Sequence, residues 1–322
     1  MKMKGQNWYV TSAAASTASV RRNSWICCVE ASDGFQAKAR ENEKMKMPVH
    51  NFDEHFAEFM SGWMEQHKNR YRNFDEIEED LPRIYMAFLN TRAPWLGSVT
   101  PGSYFTQFED PKVLVDWLRE YCEEGVPVPE PLLEQITTVG KPCEKRLVEL
   151  LKDEEADDEA RMTAIGLLRD MESVQPKMLY ITWQLDRQQK DDLKDNALES
   201  LTAMGEAVVQ PILQQIGKAN DAGREALLEV LSHFPGNEQI FRIALEAFRK
   251  HPEKRALFAG YLAKLGDDRA LADLTEAANA PGLPYLTFIE LRNAIESLGG
   301  TCPDREYDDD PEYEALRDLD RI

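Results

Sequence analysis

Histidines with acidic neighbours are the residues of this chain best suited to metal or acid–base chemistry. The chain has five histidines, which are His50, His55, His67, His233 and His251. His55 and Glu58 stand three residues apart, so on one helix they would share a face and could supply two metal ligands. A ferritin-like site would need such pairs on several helices. We therefore expect no metal and no cofactor, and we interpret this pair as part of a solvated helix face.

The short motifs that position catalytic groups are also absent from the sequence. There is no glycine-rich phosphate loop, no GxSxG nucleophile elbow and no cysteine paired with histidine in a telling context. The five cysteines are odd in number and form no CxxC pair: Cys27, Cys28, Cys122, Cys143 and Cys302. Unpatterned thiols of this kind are typical of reduced proteins of the cytoplasm. The residues therefore favour a cytoplasmic protein that is not an enzyme.

The charge balance of the chain argues against two classes of partner. There are 58 acidic and 38 basic side chains, which give a net charge of -20. This charge repels the phosphate backbone of nucleic acids and the surface of anionic membranes. No run of 18 apolar residues is present to form a membrane-spanning helix. We expect neither a nucleic-acid partner nor a membrane partner.

A repeat organises the second half of the chain and must position any binding residues. Its clearest copy is DEARMTAIGLLRDM, at 158–171. The last apolar residue of each copy serves as an anchor, and successive anchors are 32, 33, 30, 31 and 33 residues apart: Val139, Met171, Met204, Phe234, Leu265 and Leu298. Between these helices the sequence predicts a second amphipathic set at roughly 141–152, 174–188, 206–218, 237–250 and 267–279. Helix–turn–helix units at this period predict an all-α helical-repeat solenoid.

Twelve apolar residues, three and seven positions before the anchors, define the buried face of the repeat helices. Residues at i, i+4 and i+7 lie on one side of an α-helix. The twelve are Leu132 and Ile136, Ala164 and Leu168, Ala197 and Leu201, Leu227 and Leu231, Phe258 and Leu262, and Leu291 and Ile295. We expect all of them in the core.

Four cations stand ten residues before successive anchors, at Arg161, Lys194, Arg224 and Arg255. At 100° per residue they point within the apolar sector, whereas a binding ladder should point away from it. We therefore interpret them as a structural ladder that ties neighbouring helices together through aspartate and carbonyl partners. Three residues before the first three of these cations, Asp158, Asp191 and Asp221 are expected to cap the helix starts.

The repeat pattern resembles HEAT-like repeats, in particular the short type found in phycobilisome-lyase-like proteins. The resemblance covers roughly residues 127–300 and is carried by DDEARMTAIGLLRDM, NALESLTAMG, GREALLEVLSHF, KRALFAGYLAKLG and LRNAIESLGG. It implies a HEAT-like solenoid and is nearly silent on activity, because one scaffold carries unrelated functions. Related iron hydroxylases hold their metal with His-Glu dyads, and no histidine of this chain is followed by Glu. Related DNA glycosylases need a cationic surface. The excess of acidic side chains in this sequence argues against such a surface.

The remaining segments predict appendages on the repeat array. Residues 1–46 have no acid until Glu30, and we interpret them as a disordered leader or an over-extended start; their Arg- and Ser-rich composition also suits an organellar transit peptide. Residues 47–125 are expected to form an N-terminal helical cap, and 126–300 the HEAT-like repeats. In the acidic tail, 301–322, residues 303–322 hold nine acids against three arginines. We expect this tail to be solvated, with a short helix at 311–319.

An aromatic loop in the cap offers the main alternative to a purely structural interpretation. It carries Trp95, Tyr104, Phe105 and Phe108 between helix-breaking prolines and glycines. Large aromatic side chains are usually buried, so packing of these residues over the first repeat is the simpler interpretation. The alternative is a pocket at the junction of cap and solenoid. By the resemblance to lyase-like proteins, that pocket would handle a small molecule such as a tetrapyrrole, or belong to a lyase-like enzyme.

The leading functional hypothesis is an interaction scaffold with an extended acidic surface. Opposite the buried face of the first four repeat helices, the sequence places few cations and the acids Glu130, Glu134, Glu159, Asp170, Asp195, Glu199, Glu225 and Glu229, which we call the acidic stripe. Charge on an exposed helix face needs no function, so a merely solvated surface is the alternative. The hypothesis is that the stripe binds a protein partner through a basic segment of that partner.

Overall fold

The structure is a computed structural model that describes residues 48–68, 70–188, 190–302, 304–307 and 310–319. The predicted leader, 1–46, lies outside the described residues. The helices of the described residues belong to one compact unit, Lys46–Ile322. The described residues form fifteen α-helices and seven 3-10 helices, with no β-strand among them. The predicted all-α fold is therefore confirmed.

The helical cap consists of three α-helices and a loop of three short 3-10 helices. The α-helices are α1 (Phe52–Gln66), α2 (Phe74–Leu89) and α3 (Pro111–Glu123), and the 3-10 helices are Pro94–Leu96, Pro101–Ser103 and Phe105–Gln107. The start of the described chain is held against α3, because Trp117 Nε1 donates to Pro48 O at 3.0 Å and Tyr121 Oη donates to His50 O at 3.1 Å.

The repeat region alternates the two predicted sets of helices. The anchor-bearing set is α4 (Glu130–Val139), α6 (Asp158–Asp170), α8 (Asp192–Ala203), α10 (Asp221–Leu231), α12 (Arg255–Leu265) and α14 (Tyr285–Ser297). The intervening set is α5 (Lys141–Lys152), α7 (Lys177–Leu185), α9 (Val209–Gln215), α11 (Glu238–Lys250) and α13 (Leu271–Ala278). Further 3-10 helices, Gly205–Val208, Ile216–Lys218, Pro252–Lys254 and Asp268–Ala270, lie between them, and α15 (Pro311–Leu319) ends the described chain.

Side-chain caps fix where several repeat helices begin. Asp191 caps α8, where its side chain accepts a hydrogen bond from Lys194 N at 3.1 Å, as expected. In α6 and α10 the cap is one residue earlier than expected, at Asp157 and Asn220. Asp158 and Asp221 are instead the first helical residues, where their charge meets the positive end of the helix dipole.

All twelve residues of the predicted buried face lie in the core, each at most 4% exposed. The anchors fall at or just beyond the helix ends, where most are half-buried. Packing partners are close in sequence: α6 packs on α5 and α8, α8 on α7, and α14 on α12 and α13. Such neighbour-to-neighbour packing is the arrangement of a helical-repeat solenoid. Helix α3 contacts α4, α5 and α6, so it joins the cap to the first repeats.

The acidic tail differs from its prediction in one respect. The short helix forms, as α15, but the segment before it is not solvated throughout, because Tyr307 is only 9% exposed. Tyr307 and Tyr313 pack on α14. Their aromatic rings bury apolar area, which the acidic composition of the tail does not indicate.

Candidate functional site

The acidic stripe lies on α4, α6, α8 and α10, two residues on each helix. Six of its eight acids are exposed, and Asp195 and Glu225 are half-buried. On α6, Asp170 is exposed while Leu167 and Leu168 just before it are buried. The helix periodicity that buries the apolar face therefore turns most of these acids towards solvent.

Cations of neighbouring elements compensate three acids of the stripe. Arg169 Nη1 donates to Glu199 Oε2 at 2.9 Å and links α6 to α8. Arg187, just after α7, pairs with Asp195, and Lys254 pairs with Glu225 of α10. These three carboxylates therefore take part in contacts between elements as well as in the surface.

The other five acids of the stripe form no ion pair with a described residue: Glu130, Glu134, Glu159, Asp170 and Glu229. Two of them, Glu130 and Glu134, lie on α4 beside Tyr85 of α2, and burial together with the charge of Glu130 raises the pKa of the tyrosine. Burial, and then the nearby Glu130, also raises the pKa of Glu134. The stripe acids that form no ion pair with a described residue therefore lie on α4, on α6 and near the C-terminal end of α10.

The four ladder cations are all half-buried, but their contacts differ from one another. Arg161 pairs with Asp158 of its own helix at 3.2 Å, and its guanidinium lies 5.4 Å from the ring centroid of Trp183 on α7. Lys194 lies 3.9 Å from Asp186, at the end of α7. Each of these two cations thus reaches from its own helix to a neighbouring one.

The last two ladder cations make fewer contacts. Within the described residues, Arg224 makes no side-chain hydrogen bond or ion pair, and it lines a shallow cleft with Glu225, His251 and Phe258. The buried Nε atom of Arg255, like that of Arg161, has no hydrogen-bond partner among the described residues. Neither therefore supplies the aspartate or carbonyl link that its position in the repeat predicts.

The aromatic loop packs against its own helical cap and against the first repeat helix. Phe105 is fully buried against Trp117, with ring centroids 5.0 Å apart, and Phe108 lies 4.8 Å from the same ring. Trp95 stacks on His55 at 4.0 Å, and Tyr104 lies 4.9 Å from Phe105. The loop is tied to α4 because Gln135 Nε2 donates to Phe108 O at 2.7 Å. These side chains fill the junction of cap and repeats with one another.

The residues best suited to chemistry are dispersed. His55 Nδ1 lies 3.4 Å from Glu58 Oε2, on an exposed face of α1. Among the described residues, no three side chains of His, Cys, Asp or Glu come together in a way that could hold a metal ion. None of the described helices is both long enough and apolar enough to cross a membrane.

Several contacts between repeats could not be found from the sequence pattern. Glu144 of α5 is buried and accepts a hydrogen bond from the hydroxyl of Ser173, which follows α6. Asn220 reaches back to α7, because its backbone N donates to Leu185 O at 2.8 Å. The residue types of these partners do not indicate either contact. The two partners of each contact lie about thirty residues apart, and no position of the repeat predicts that they meet.

No protein family, no curated protein and no solved structure matches this chain.

Proposed function

We propose that the paired helices are HEAT-like repeats and that the chain is a non-enzymatic scaffold of the cytoplasm, whose acidic stripe binds a basic segment of a protein partner. The observation that carries the proposal is the set of five exposed acids that lack a cation among the described residues. These acids lie on three helices of one set, two each on α4 and α6 and one on α10. A basic segment lying across them would supply the missing counter-charges.

The rest of the chain supports a binding role for this surface rather than for the aromatic loop. The net charge of -20 lowers the potential over the stripe and attracts basic partners over a Debye length of about 8 Å at physiological salt. The aromatic side chains of the loop contact one another, and two clefts beside α11 lie elsewhere in the chain. Within the described residues, no contact of the loop favours a tetrapyrrole pocket.

The test is a charge reversal restricted to acids that have no structural partner. Glu134, Asp170 and Glu229 are exposed and form no ion pair with a described residue. None lies in the first turn of its helix, where a cation would oppose the helix dipole. Glu199 is left unchanged, since it links α6 to α8 through Arg169. Changing the three acids to Lys should therefore leave the helical content intact.

A matched control reverses three acids outside the stripe. Glu79 of α2, Glu276 of α13 and Glu290 of α14 are exposed and form no ion pair with a described residue. Their replacement by Lys gives the same change in net charge. Wild type, stripe variant and control are used as baits in affinity purification from the native host, followed by mass spectrometry of polypeptides and small molecules.

A partner that binds the stripe should be retained by wild type and control and lost from the stripe variant. Its association with wild type should slow as salt rises, because screening weakens electrostatic attraction. Equal retention of every polypeptide by both variants would refute the stripe as an interface. A stoichiometric small molecule recovered with all three baits would instead point back to the alternative at the aromatic loop.

A further inference from the structure

After α14 the chain turns and runs back along that helix. Gly299 has a φ of 82°, and Gly300 N donates to Ile295 O at 2.9 Å. A Cβ atom at Gly300 would lie 2.7 Å from Leu271 Cδ2 and 2.8 Å from Ile295 Cγ2. Any other residue at this position would therefore force these neighbouring side chains to move. We call the described residues 304–307 and 310–315 the C-terminal strap.

The first part of the strap is held by polar contacts with α13 and α14. Arg292 Nη1 of α14 donates to Asp304 Oδ1 at 2.9 Å. Arg305 Nη1 donates to Ala280 O at 2.7 Å and to Ala278 O at 3.3 Å. Arg305 thus satisfies backbone carbonyls at the end of α13, which a helix leaves without internal partners.

Two tyrosines anchor the strap on the aromatic face of α14. The ring of Tyr307 lies 5.4 Å from Phe288 and 5.2 Å from Tyr285, and that of Tyr313 lies 4.9 Å from Tyr285. Tyr307 is buried, yet its hydroxyl has no hydrogen-bond partner among the described residues. The aromatic contacts favour docking, whereas the unsatisfied hydroxyl opposes it.

Two carboxylates of the strap cap the start of α14. Pro284 precedes this helix and provides no side-chain cap, so the first amides depend on another segment. Asp310 Oδ2 accepts a hydrogen bond from Tyr285 N at 3.2 Å, and Glu312 Oε2 accepts one from Leu286 N at 3.1 Å. The strap therefore contacts α13 and α14 as a bound peptide would, with aromatic anchors and charged ends.

We propose that the α13–α14 end of the array is a docking groove for acidic, aromatic peptide segments, which the chain's own strap occupies until a partner segment displaces it. The contacts define the ligand class: a tyrosine followed by two carboxylates two residues apart, as in Tyr307, Asp310 and Glu312. The strap is displaceable because its capping bonds involve an exposed carboxylate, Glu312, and a half-buried one, Asp310, and because docking leaves the Tyr307 hydroxyl unsatisfied. This groove is distinct from the acidic stripe and takes a ligand of opposite charge.

The experiment uses the full chain and a peptide that copies the strap. The probe is a fluorescent synthetic peptide with the sequence of residues 301–319 and serine in place of Cys302. Its affinity is measured by anisotropy for wild type, for the double variant Asp310→Ala/Glu312→Ala, and for the control Glu314→Ala. Glu314 is exposed and its side chain makes no hydrogen bond or ion pair with a described residue.

The double variant should bind the peptide at least about 10-fold more tightly than wild type, because apparent affinity rises with the fraction of chains whose groove is open. The control should match wild type. Amide exchange at Tyr285 and Leu286 should accelerate in the double variant alone, since these amides lose their acceptors. A peptide with alanine at the positions of Tyr307, Asp310 and Glu312 should not bind.

Three results would overturn the proposal. The first is a double variant whose exchange shows a released strap but whose affinity for the peptide equals that of wild type. The second is unchanged exchange at Tyr285 and Leu286 in the double variant, which would mean that the two carboxylates do not hold the strap. The third is equal binding of the natural and the alanine-substituted peptides.

Discussion

Among the glycines of the repeat array, Gly223 of α10 is the one at which an added methyl group should destabilise the fold most. A Cβ atom at Gly223 would lie 2.0 Å from the backbone oxygen of Gln184 on α7 and 3.1 Å from Asn220 Oδ1. Real Cβ atoms do not approach a carbonyl oxygen this closely. Gly223→Ala must therefore push α7 and α10 apart.

The oxygen of Gln184 has little freedom to move away. Asn220 N donates to Leu185 O at 2.8 Å, and Asn220 Nδ2 donates to Arg187 O at 2.7 Å, so the start of α10 is fastened to the end of α7. Overpacking of a core typically costs about 1–3 kcal/mol, occasionally more, and a fixed backbone places this site at the upper end. Alanine regains roughly 0.5–1 kcal/mol of helix propensity. The expected net loss in the free energy of unfolding is about 2 kcal/mol.

The assay is equilibrium unfolding in urea, followed by circular dichroism. Gly166→Ala is the matched control, because Gly166 also lies within a repeat helix but a Cβ atom there meets nothing within 4 Å. This control should be more stable than wild type by roughly 0.5–1 kcal/mol. If Gly223→Ala proves as stable as wild type, the close approach of α7 and α10 is wrong, and so is the placement of the acids that α10 carries.

The remaining predictions concern the core, the thiols and the response to acid. Leu231→Ala should lower the free energy of unfolding in urea by about 2–5 kcal/mol, since Leu231 is fully buried, whereas Arg224→Ala should cost under about 1 kcal/mol. Burial raises the pKa of Cys122 to about 12 and that of Cys143 to about 11, so iodoacetamide at pH 8 should label them only after unfolding, as mass spectrometry of peptides would show. Hydrogen bonds from Arg249 lower the pKa of Asp273, so this link stabilises the fold fully above the ordinary value of 3.8 and weakens as pH falls through the lowered pKa; Arg249→Gln should cost more stability at pH 6 than at pH 2. Deleting residues 1–44 should leave the melting temperature unchanged.

The sequence was sufficient for the repeat helices because their signals are local and periodic. Burial of Leu168 and Leu201 follows from spacing alone, and so does exposure of Asp170 and Glu199. The start of α8 follows from the capping preference of Asp191. The fold class and the arrangement of each helix face could therefore be predicted without any tertiary information.

Contacts between segments could not be predicted in this way. The sequence predicts few cations along the stripe, yet Lys254 reaches Glu225 from the 3-10 helix before α12, and Arg169 of α6 reaches Glu199 of α8. These cations occupy positions outside the ladder that the repeat defines. Docking of the strap could not be predicted for a different reason. The nine acids of the tail predict that it is solvated, whereas the contacts of two tyrosines hold it against α14. Composition averages over a segment, whereas packing depends on a few side chains.

The two proposed surfaces should differ in how a partner reaches them. Acids of the stripe such as Glu134 and Asp170 are already exposed, so binding there needs no rearrangement and its rate should fall with rising salt. The docking groove at the α13–α14 end is occupied by Tyr307, Asp310 and Glu312. An incoming segment can therefore bind there only after the strap has dissociated from it. Its association rate should reach a plateau at high peptide concentration, set by the opening rate. The concentration dependence of association therefore separates the two surfaces, even for a partner that binds both.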